Sequence, residues 1–404
     1  MADLSSFGMI LFNTSVYGGV SDSYWTVMME DIAAALHRRG DDCICINPDN
    51  PEHIKLLQIV ALGAGWPRYL LLFNFAPALA RANDPSALGV LGGIKAPYIS
   101  LFLDHPALLG KGVAEMEAGI AADPSLRPLR HYGLMEREHL AVMDKLGVPA
   151  SSCFLFPQAG GAPVAEPRPM GLRSIPAIFA GTIEAEVSNQ EFCEQMGLKD
   201  PLYCRLADEA VSEIMDGQCD VYEIVARLFA GTEIVATTTN LIELIRRLDY
   251  RARTLRRHRM FRCLRHLPIQ YYGNASDDFK RNNTNIEFMG SIGFRGLLDV
   301  MNDTKVMLND TINLRSSTLI RVFYGMSRGC LVASEVNSFI ETEFVTPGAA
   351  VAIDYNDCSA GERIMDLVNR PVEAQAMTHK ALQIYSGAHT WDHRVTALLD
   401  VIPK

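Results

Sequence analysis

A polar loop and a predicted helix between Asn309 and Glu335 carry the side chains of an anion-binding site. Hydroxyl groups stand where the helix should begin, and two arginines accompany them; the set is Arg315, Ser316, Ser317, Thr318 and Arg321. The free amides and the dipole of a helix N-terminus attract anions, and hydroxyl side chains are favourable N-caps. We therefore predict that this segment binds a diphosphate. The alternative is that the hydroxyl groups only cap the helix and that Arg321 pairs with an acidic side chain.

The elements that would position this segment are those of an α/β protein. In the first half, short apolar runs alternate with helical stretches, which is typical of a parallel sheet. The predicted strands of this half are Met9 to Phe12, Cys43 to Ile46, Tyr69 to Phe73, Tyr98 to Leu103 and Cys153 to Phe156. Helices are predicted from Tyr24 to Arg39 and from Glu136 to Leu146, and the piece Arg130 to Tyr132 is assigned to neither kind of element.

A stretch rich in Pro, Gly and Ala, Pro157 to Arg173, is typical of an interdomain linker. The strands predicted after it are Ile175 to Ala180, Ile269 to Tyr272, Ile286 to Met289, Lys305 to Leu308, Cys330 to Ala333 and Ala350 to Ile353. We predict a first domain (1–157), a linker (158–174), a second domain (175–385) with a helical insertion (189–264), and a C-terminal helix (386–404) that crosses back to the first domain. Ligands of open parallel sheets bind beyond the carboxyl ends of the strands.

The composition limits the class of protein. With 404 residues, 49% of them hydrophobic, the chain can bury the cores of two domains. Acidic residues outnumber basic ones by 47 to 37, which argues against a surface that binds nucleic acid throughout. The nine cysteines form no CxxC pair, as in reduced cytosolic proteins. We see no signal peptide and no apolar run of membrane-spanning length, and we expect a soluble, cytoplasmic protein.

Motifs in the C-terminal third resemble those of a known enzyme family. The run LIRVFYGMSRGCLVASEV is followed by FIETEF, by PGAAVAIDYND and, near the end, by HTWDHRV. This pattern resembles the CgeB-like glycosyltransferases, within the group-1 glycosyltransferases of the GT-B fold. The matching positions are Arg321-Val322-Phe323, Gly329, Glu335 and His389-Thr390-Trp391 with Arg394. The resemblance spans Ile175 to Arg394 apart from the helical region, and in the first half only FLDHP, Phe102 to Pro106, is similar.

The resemblance implies the GT-B fold, in which two Rossmann-like domains with parallel sheets face each other. It also implies a nucleotide-sugar-dependent glycosyltransferase that moves a sugar from a UDP-, GDP- or dTDP-sugar to a hydroxyl of a glycan, protein or lipid-linked acceptor, as in bacterial glycan or protein glycosylation. The leaving diphosphate needs cationic groups and oriented amides. We expect no metal and no cofactor besides the nucleotide sugar. The implied donor-binding residues are Gly181, Thr182, Gly273, Asn313, Arg315, Ser316, Ser317, Thr318, Arg321 and Glu335.

The chain departs from the family pattern at two places. The family usually has Glu after the Phe, near the donor in many relatives, whereas this chain has Tyr324. The Arg that often follows the first turn of the second domain is absent, and Glu184 and Glu186 occupy that neighbourhood. An altered donor or a role shifted to Glu335 would accommodate Tyr324. So would a catalytically degenerate nucleotide- or sugar-binding protein of the same fold, which is the principal alternative; an epimerase or a phosphorylase is a further one.

The first half offers a general base for the acceptor hydroxyl. Asp104 and His105, with Pro106, follow a predicted strand, and Asp or His can remove a proton near neutral pH. The alternative is that Asp104 caps a loop amide while His105 packs. His131 is a second candidate base by the same reasoning. A further pair, Gly18 and Gly19, is expected to shape the acceptor pocket or to approach the diphosphate.

The run Arg251 to Arg265 is strongly basic and lies in or beside a predicted helix. A nucleic-acid-binding protein would have a recognisable groove-binding motif around such a run, and this sequence shows none. We therefore interpret the run as a solvated helix face that contacts an anionic acceptor or a membrane surface at most. No nucleic-acid partner is expected.

Overall fold

The structure, a computed structural model, describes residues 7–11, 23–46, 52–53, 55, 67–73, 96–217, 219–235, 237–311 and 313–402. The chain divides into two compact units. The first comprises Met1–Ala162, Gly293–Arg295 and Ala388–Lys404, and the second comprises Pro163–Ile292 and Gly296–Gly387. The C-terminal residues therefore belong to the first unit, although they follow the second unit in sequence.

The first unit contains one parallel sheet. Its strands are β1 (Gly8–Leu11), β2 (Cys43–Ile46), β3 (Tyr69–Phe73), β4 (Tyr98–Leu101), β5 (Arg130–Leu134) and β6 (Cys153–Leu155). They pair in the order β2-β1-β3-β4-β5-β6, and every pair is parallel. All residues of β3 and β4 are buried, because helices cover both faces of the inner strands in such sheets.

The second unit contains another parallel sheet. Its strands are β7 (Ile175–Ala180), β8 (Ile269–Tyr272), β9 (Ile286–Gly290), β10 (Thr304–Asn309), β11 (Leu331–Glu335) and β12 (Ala350–Ile353). They pair in the order β12-β11-β10-β7-β8-β9, again all parallel. The α/β class with two parallel sheets, predicted from the alternation of apolar runs, is confirmed.

Helices connect the strands and fill the insertion. In chain order they are α1 (Tyr24–Arg38), α2 (Gly110–Ala122), α3 (His139–Lys145), α4 (Asn189–Met196), α5 (Pro201–Asp216), α6 (Val221–Leu228), α7 (Thr238–Cys263), α8 (Asp277–Asn282), α9 (Phe294–Asn302), α10 (Ile320–Ser327), α11 (Ala360–Val368), α12 (Pro371–Ala388) and α13 (Trp391–Val401). Between β7 and β8 the chain forms α4 to α7, so the predicted helical region is helical in the structure. None of the described helices combines the length and the hydropathy that crossing a bilayer requires.

The last helix, α13, packs in the first unit. Trp391 is buried and stacks on Phe156, with ring centroids 6.1 Å apart. Asp392 accepts two hydrogen bonds from Arg38 of α1, at 2.7 and 2.8 Å. Aromatic stacking of two large buried rings contributes about 0.5–1.5 kcal/mol beyond the area it buries. These contacts explain why the chain ends in the unit where it begins.

Helix α7 packs its apolar side on the second sheet. Phe261 is buried and meets the ring of Phe179 edge-on, with centroids 5.2 Å apart. Met260 and Leu264 belong to the same core. Full burial of a side chain of this size stabilises a fold by roughly 1.5–3 kcal/mol. The packing fixes the axial position of α7 against β7, and therefore the position of the arginines in the preceding turn.

Most strand positions follow the sequence pattern, and one strand was missed. β5 begins with Arg130, a charged residue that apolar patterning does not assign to a buried strand. Arg130 is 2% exposed, and its guanidinium lies 5.3 Å over the ring of Tyr98 in the neighbouring strand β4. Burial lowers the pKa of Arg130. The cation–π contact, worth about 2 kcal/mol in desolvated cases, makes a buried arginine tolerable there.

Candidate anion-binding site

The carboxyl ends of neighbouring strands bring polar residues of the second unit together. β10 lies between β7 and β11, and β8 lies on the other side of β7. Gly181 and Thr182 follow β7, and Gly273 follows β8. Asp310 follows β10, and Glu335 ends β11. Because all strands are parallel, these positions lie at one edge of the sheet, which is the edge where ligands of open α/β sheets bind.

Asp310 forms the centre of this edge with two arginines. Its buried carboxylate accepts a hydrogen bond from Nε of Arg257 at 2.9 Å and from Nη1 of Arg321 at 3.1 Å. Each arginine side chain is 14% exposed. Burial by itself raises the pKa of Asp310, but the two guanidinium groups more than offset that effect and lower the pKa below its usual value. The three groups therefore sum to one net positive charge, which suits an anionic ligand.

Both arginines are also held by Phe179 of β7. The guanidinium of Arg321 lies 5.0 Å from the centroid of its ring and that of Arg257 lies 5.8 Å away. Nη1 of Arg257 donates to the carbonyl oxygen of Thr182. The two guanidinium groups come from α7 and α10, so two separate helices converge on one strand end. Sequence reasoning found Arg321 and missed Arg257 and Asp310, because nothing in the sequence shows that the insertion reaches this edge.

Gly181 and Gly273 allow the ends of β7 and β8 to approach each other. Gly273 has a φ of 125°, and a Cβ atom placed there would lie 2.1 Å from the carbonyl oxygen of Gly181. The amide of Gly181 donates to the carbonyl oxygen of Tyr272 at 3.0 Å, and its carbonyl oxygen accepts from the hydroxyl of Tyr271 at 2.7 Å. Both backbone groups of Gly181 are thus bonded within the protein, and the two glycines shape the edge through their lack of side chains.

The helix after β10 begins later than the hydroxyl groups suggest. Ile320 is the first residue of α10, Leu319 is the N-cap, and no side chain caps the helix. The alternative that residues Ser316 to Thr318 cap this helix is therefore wrong, whereas Arg321 does pair with an acid, Asp310. The first-turn amides of an α-helix have no acceptor within the helix. In α10 the amide of Val322 instead donates to the carbonyl oxygen of Leu319 at 3.1 Å.

The loop between Asp310 and α10 is held from both sides. Asn337, after β11, donates from Nδ2 to the carbonyl oxygens of Leu314 and Ser317 at 2.7 and 2.8 Å. Asn313 adopts a left-handed backbone, with φ of 69°, and donates to Asp249 of α7 at 2.7 Å. Three buried polar atoms of this stretch have no hydrogen-bond partner among the described residues: Asn309 Oδ1, Asn313 Oδ1 and Thr318 Oγ1. Such atoms are rare in folded proteins, and each of these three is a candidate to meet a ligand.

Glu335 and Tyr324, the two positions that bear on the donor sugar, are both buried in the second unit. Both carboxylate oxygens of Glu335 accept hydrogen bonds from the protein, one from Thr311 and the other from Arg256. Tyr324 is 1% exposed and lies in the core of the second unit. The substitution of the family's Glu by Tyr324 is therefore accommodated by packing in this structure.

The basic run contributes to the site, contrary to its interpretation as a solvated face. Arg256 is 5% exposed and bonds to Glu335, and Arg257 belongs to the Asp310 cluster. The solvated interpretation fits Arg259 and Arg262, which are exposed. It is wrong for Arg256 and Arg257 because the apolar face of α7 turns these two side chains towards the strand ends.

In the first unit, His105 has the capping role that was considered for Asp104. Nδ1 of His105 accepts from the amide of Ala107 at 3.2 Å and starts the 3-10 turn Pro106–Leu109. A nitrogen that accepts a hydrogen bond carries no proton, so the proton of a neutral His105 is on Nε2. The ring of His105 also meets the ring of His139 edge-on at 4.8 Å, and His139 Nε2 lies 3.3 Å from Glu136. Asp104 is half-buried at the same strand end.

The other predicted residues of the first unit lie elsewhere. His131 is the second residue of β5 and pairs with Ile99 of β4, three residues before the strand's carboxyl end. At about 3.3 Å per residue, it lies roughly 10 Å from that end, so the sheet does not bring it beside Asp104 and His105. Burial lowers the pKa of His131. Gly18 and Gly19 lie outside the described residues.

Comparison with known proteins matches the C-terminal part of the chain to a family described as glycosyl transferase-like, over residues 246–400. None of the curated proteins matches the chain. Among solved structures, alpha-glucosyltransferase (AGT) in complex with UDP is similar at 11% identity and a TM-score of 0.53, covering 98% of this chain and 99% of that chain. The same enzyme with UDP and a 13-mer DNA gives a TM-score of 0.56 at 9% identity, with 98% and 99% coverage.

The S. aureus enzyme TarM is also similar, at 10% identity and a TM-score of 0.41, covering 83% of this chain. The chain spans about half of TarM, 55% of its length. The family model shows a glycosyl transferase-like C-terminal region, and the two AGT structures show the GT-B fold, so the predicted resemblance to group-1 glycosyltransferases and the predicted fold are confirmed.

Proposed function

We propose that this chain, which has the GT-B fold and a glycosyl transferase-like C-terminal region, is a glycosyltransferase that transfers a sugar from a nucleotide diphosphate and binds that donor at the Asp310 edge. The observation that carries the proposal is the convergence of Arg257 and Arg321 on one buried carboxylate beside the start of α10. We propose that the diphosphate contacts the two guanidinium groups. Arg315 and the loop up to Thr318 would line the same site.

The chemistry needs this arrangement. The bond between the anomeric carbon and the diphosphate oxygen breaks, and its electron pair leaves with the diphosphate. The acceptor oxygen bonds to the anomeric carbon, and its proton passes to a base or to the departing diphosphate. Guanidinium groups make two parallel hydrogen bonds to phosphate oxygens and stay charged at every physiological pH. Cationic groups that are already in place stabilise the developing charge without reorganisation, so the proposed transfer does not depend on a metal.

The acceptor side of the proposal rests on Asp104 and His105. They follow β4 at the carboxyl edge of the first sheet, the edge where such sheets bind ligands. In the neutral tautomer that the Ala107 contact favours, His105 presents an N–H at Nε2, so we assign the proton-accepting role to Asp104 and an orienting role to His105. The acceptor is a hydroxyl of a glycan, protein or lipid-linked molecule. A cytoplasmic, bacterial glycosylation setting and the absence of a nucleic-acid partner remain part of the proposal.

A panel of UDP-, GDP- and dTDP-sugars, assayed for release of free nucleotide with and without added acceptors, tests the proposal. We expect turnover with one nucleotide class, unaffected by a metal chelator. Arg321→Gln should weaken binding of the matching nucleoside diphosphate. Arg262→Gln is the matched control, because Arg262 is exposed on α7 and pairs with Glu186. If the protein neither binds nor turns over any nucleotide sugar, the proposal is overturned.

The second candidate is a nucleotide- or sugar-binding protein that has lost catalysis. The observation that favours it is the burial of Tyr324 in place of the family's Glu. Such a protein would bind a nucleoside diphosphate with the same dependence on Arg257 and Arg321. It would release no nucleotide from any nucleotide sugar, even over long incubation at high protein concentration.

A further inference from the structure

Glu335 is placed to organise the site rather than to touch the ligand. Oε2 accepts from the amide of Thr311 at 2.9 Å and from its hydroxyl at 2.6 Å. Oε1 accepts from Nη1 of Arg256. The Glu335 side chain is 9% exposed and that of Arg256 is 6% exposed. A carboxylate whose two oxygens already bind three donors in the protein has little remaining capacity for a ligand hydroxyl.

Arg256 connects this carboxylate to the helical insertion. Nη2 donates to the carbonyl oxygens of Ile214 and Met215, at 2.9 and 3.1 Å. These carbonyls belong to the last turn of α5, where the helix dipole favours a cation. Removing one partner of a buried ion pair is strongly destabilising because the other charge remains buried. A series of buried hydrogen bonds therefore connects the loop to the insertion, from Thr311 through Glu335 and Arg256 to α5.

Thr311 directly follows Asp310, so the hydrogen bonds that hold Thr311 also orient Asp310. The peptide between them is planar, and fixing the amide of Thr311 fixes the carbonyl carbon of Asp310. Asp310 in turn holds Arg257 and Arg321. Two residues later, Asn313 is bonded to Asp249, which also pairs with Arg253 of α7 at 2.6 Å. The loop from Asp310 to Asn313 is thus attached to α7 at successive points along the helix.

We infer that Glu335 and Arg256 are positioning residues through which the helical insertion sets the geometry of the diphosphate site. This inference rests on the proposed function and deepens it. The insertion, α4 to α7, is on this basis a structural part of donor binding. It supplies Arg257 to the ligand, and through Arg256 and Glu335 it holds the loop that carries Asp310. Glu335 therefore acts through Thr311 and Asp310.

Substitutions at Thr311 test the inference with little disturbance of the fold. Thr311→Val removes the hydroxyl bond to Glu335 and keeps the amide bond and the side-chain shape, while Thr311→Ser restores a hydroxyl. The probes are UDP, GDP and dTDP with their monophosphates, measured by calorimetry. For the nucleotide that the wild-type protein binds, we expect Thr311→Val to weaken diphosphate binding five- to twentyfold. Monophosphate binding should change less than twofold, and Thr311→Ser should recover most of the loss.

Glu335→Gln and Arg256→Met provide a second, larger perturbation. Both should reduce the preference for diphosphate over monophosphate. Far-UV circular dichroism checks that each variant is folded. Equal losses for both ligands, or no loss in Thr311→Val, would overturn the positioning role while leaving the donor site intact. If the wild-type protein binds none of the nucleotides, the proposed function itself fails, and that outcome is distinct from the other two. A direct contact of Glu335 with the ribose would instead weaken both ligands in Glu335→Gln and neither in Thr311→Val.

Discussion

Arg257→Gln is the most informative single change, because only the structure assigns Arg257 to the site. The substitution removes a guanidinium group whose Nε lies 2.9 Å from the Asp310 carboxylate, at the carboxyl end of β7. Hydrogen bonds to charged groups contribute about 1.5–3 kcal/mol each. One lost guanidinium contact should therefore raise the Kd of the nucleoside diphosphate by about tenfold to a hundredfold, since each 1.4 kcal/mol is a factor of about ten.

The same substitution should lower stability. Asp310 is fully buried and would keep a single guanidinium partner, Arg321. We expect a decrease of about 1–3 kcal/mol in the free energy of unfolding, the cost of leaving part of a buried polar group unsatisfied. Chemical denaturation measures this term separately from ligand affinity. Binding should be assayed well below the unfolding temperature of the variant, so that the two effects remain distinct.

Two matched variants and a salt titration make the experiment decisive. Arg257→Lys keeps the charge but loses the fork that can bind two phosphate oxygens, so its loss should be intermediate. Arg262→Gln removes an arginine from the same helix at an exposed position, with a side chain 48% exposed, and should bind as the wild type does. Raising the salt concentration should weaken wild-type binding more than Arg257→Gln binding. If Arg257→Gln is folded and binds the diphosphate within twofold of wild type, the assignment of Arg257 to the ligand is refuted.

The remaining predictions concern pH, backbone and proton transfer. The pKa of Asp310 is depressed in the folded state, so its contribution to stability is present above the carboxyl's unfolded pKa of about 3.8 and is lost as pH falls through the folded value. The urea midpoint of the wild type should therefore fall as pH decreases from 6 to 2, and in Asp310→Asn part of this pH dependence should be lost. Gly273→Ala should lower the free energy of unfolding by about 1–3 kcal/mol, because its Cβ would lie 2.1 Å from the carbonyl oxygen of Gly181. Gly40 is also at positive φ but has open space around it, so Gly40→Ala should cost less stability in thermal unfolding. Asp104→Asn should lower kcat by about 10²–10⁴-fold with little change in donor affinity; an unchanged kcat would remove Asp104 from the proton-transfer step.

The sequence located the edge of the second sheet but not the charges that define it. Gly181 could be named because it follows a strand whose apolar pattern is clear, and Asn313 and Arg321 because they lie in the polar loop and the predicted helix after another such strand. Arg257 could not, because its nearest site residues, Thr182 and Asp310, lie 75 and 53 positions away in the chain. Its neighbours on α7 are charged on several sides, and such a run is ordinarily a solvated face. Only the packing of Phe261 against Phe179 decides which arginines turn inward.

Side-chain roles were harder to predict than element positions. Glu335 was named as a ligand-facing group from the family resemblance, and Asp104 because it follows a predicted strand. The structure shows that Glu335 is bonded to Thr311 and Arg256, and that His105 caps the turn beside Asp104. A carboxylate after a strand can meet a ligand or neighbouring donors equally well. The choice depends on which donors the folded chain brings within about 3 Å, and sequence spacing carries no information on that distance.

The sequence by itself determined the class of fold, the positions of most strands along the chain, and the edge at which polar residues gather. These follow from local rules, since buried parallel strands require apolar runs and parallel strand ends share one edge. Only the tertiary structure decided that Arg257 joins Arg321 around Asp310, and that Arg256 holds Glu335. At this edge the cost of burying a charged side chain is offset by a partner of opposite charge within hydrogen-bonding distance. Here that partner comes from a helix inserted between two strands, and its place depends on how that helix packs.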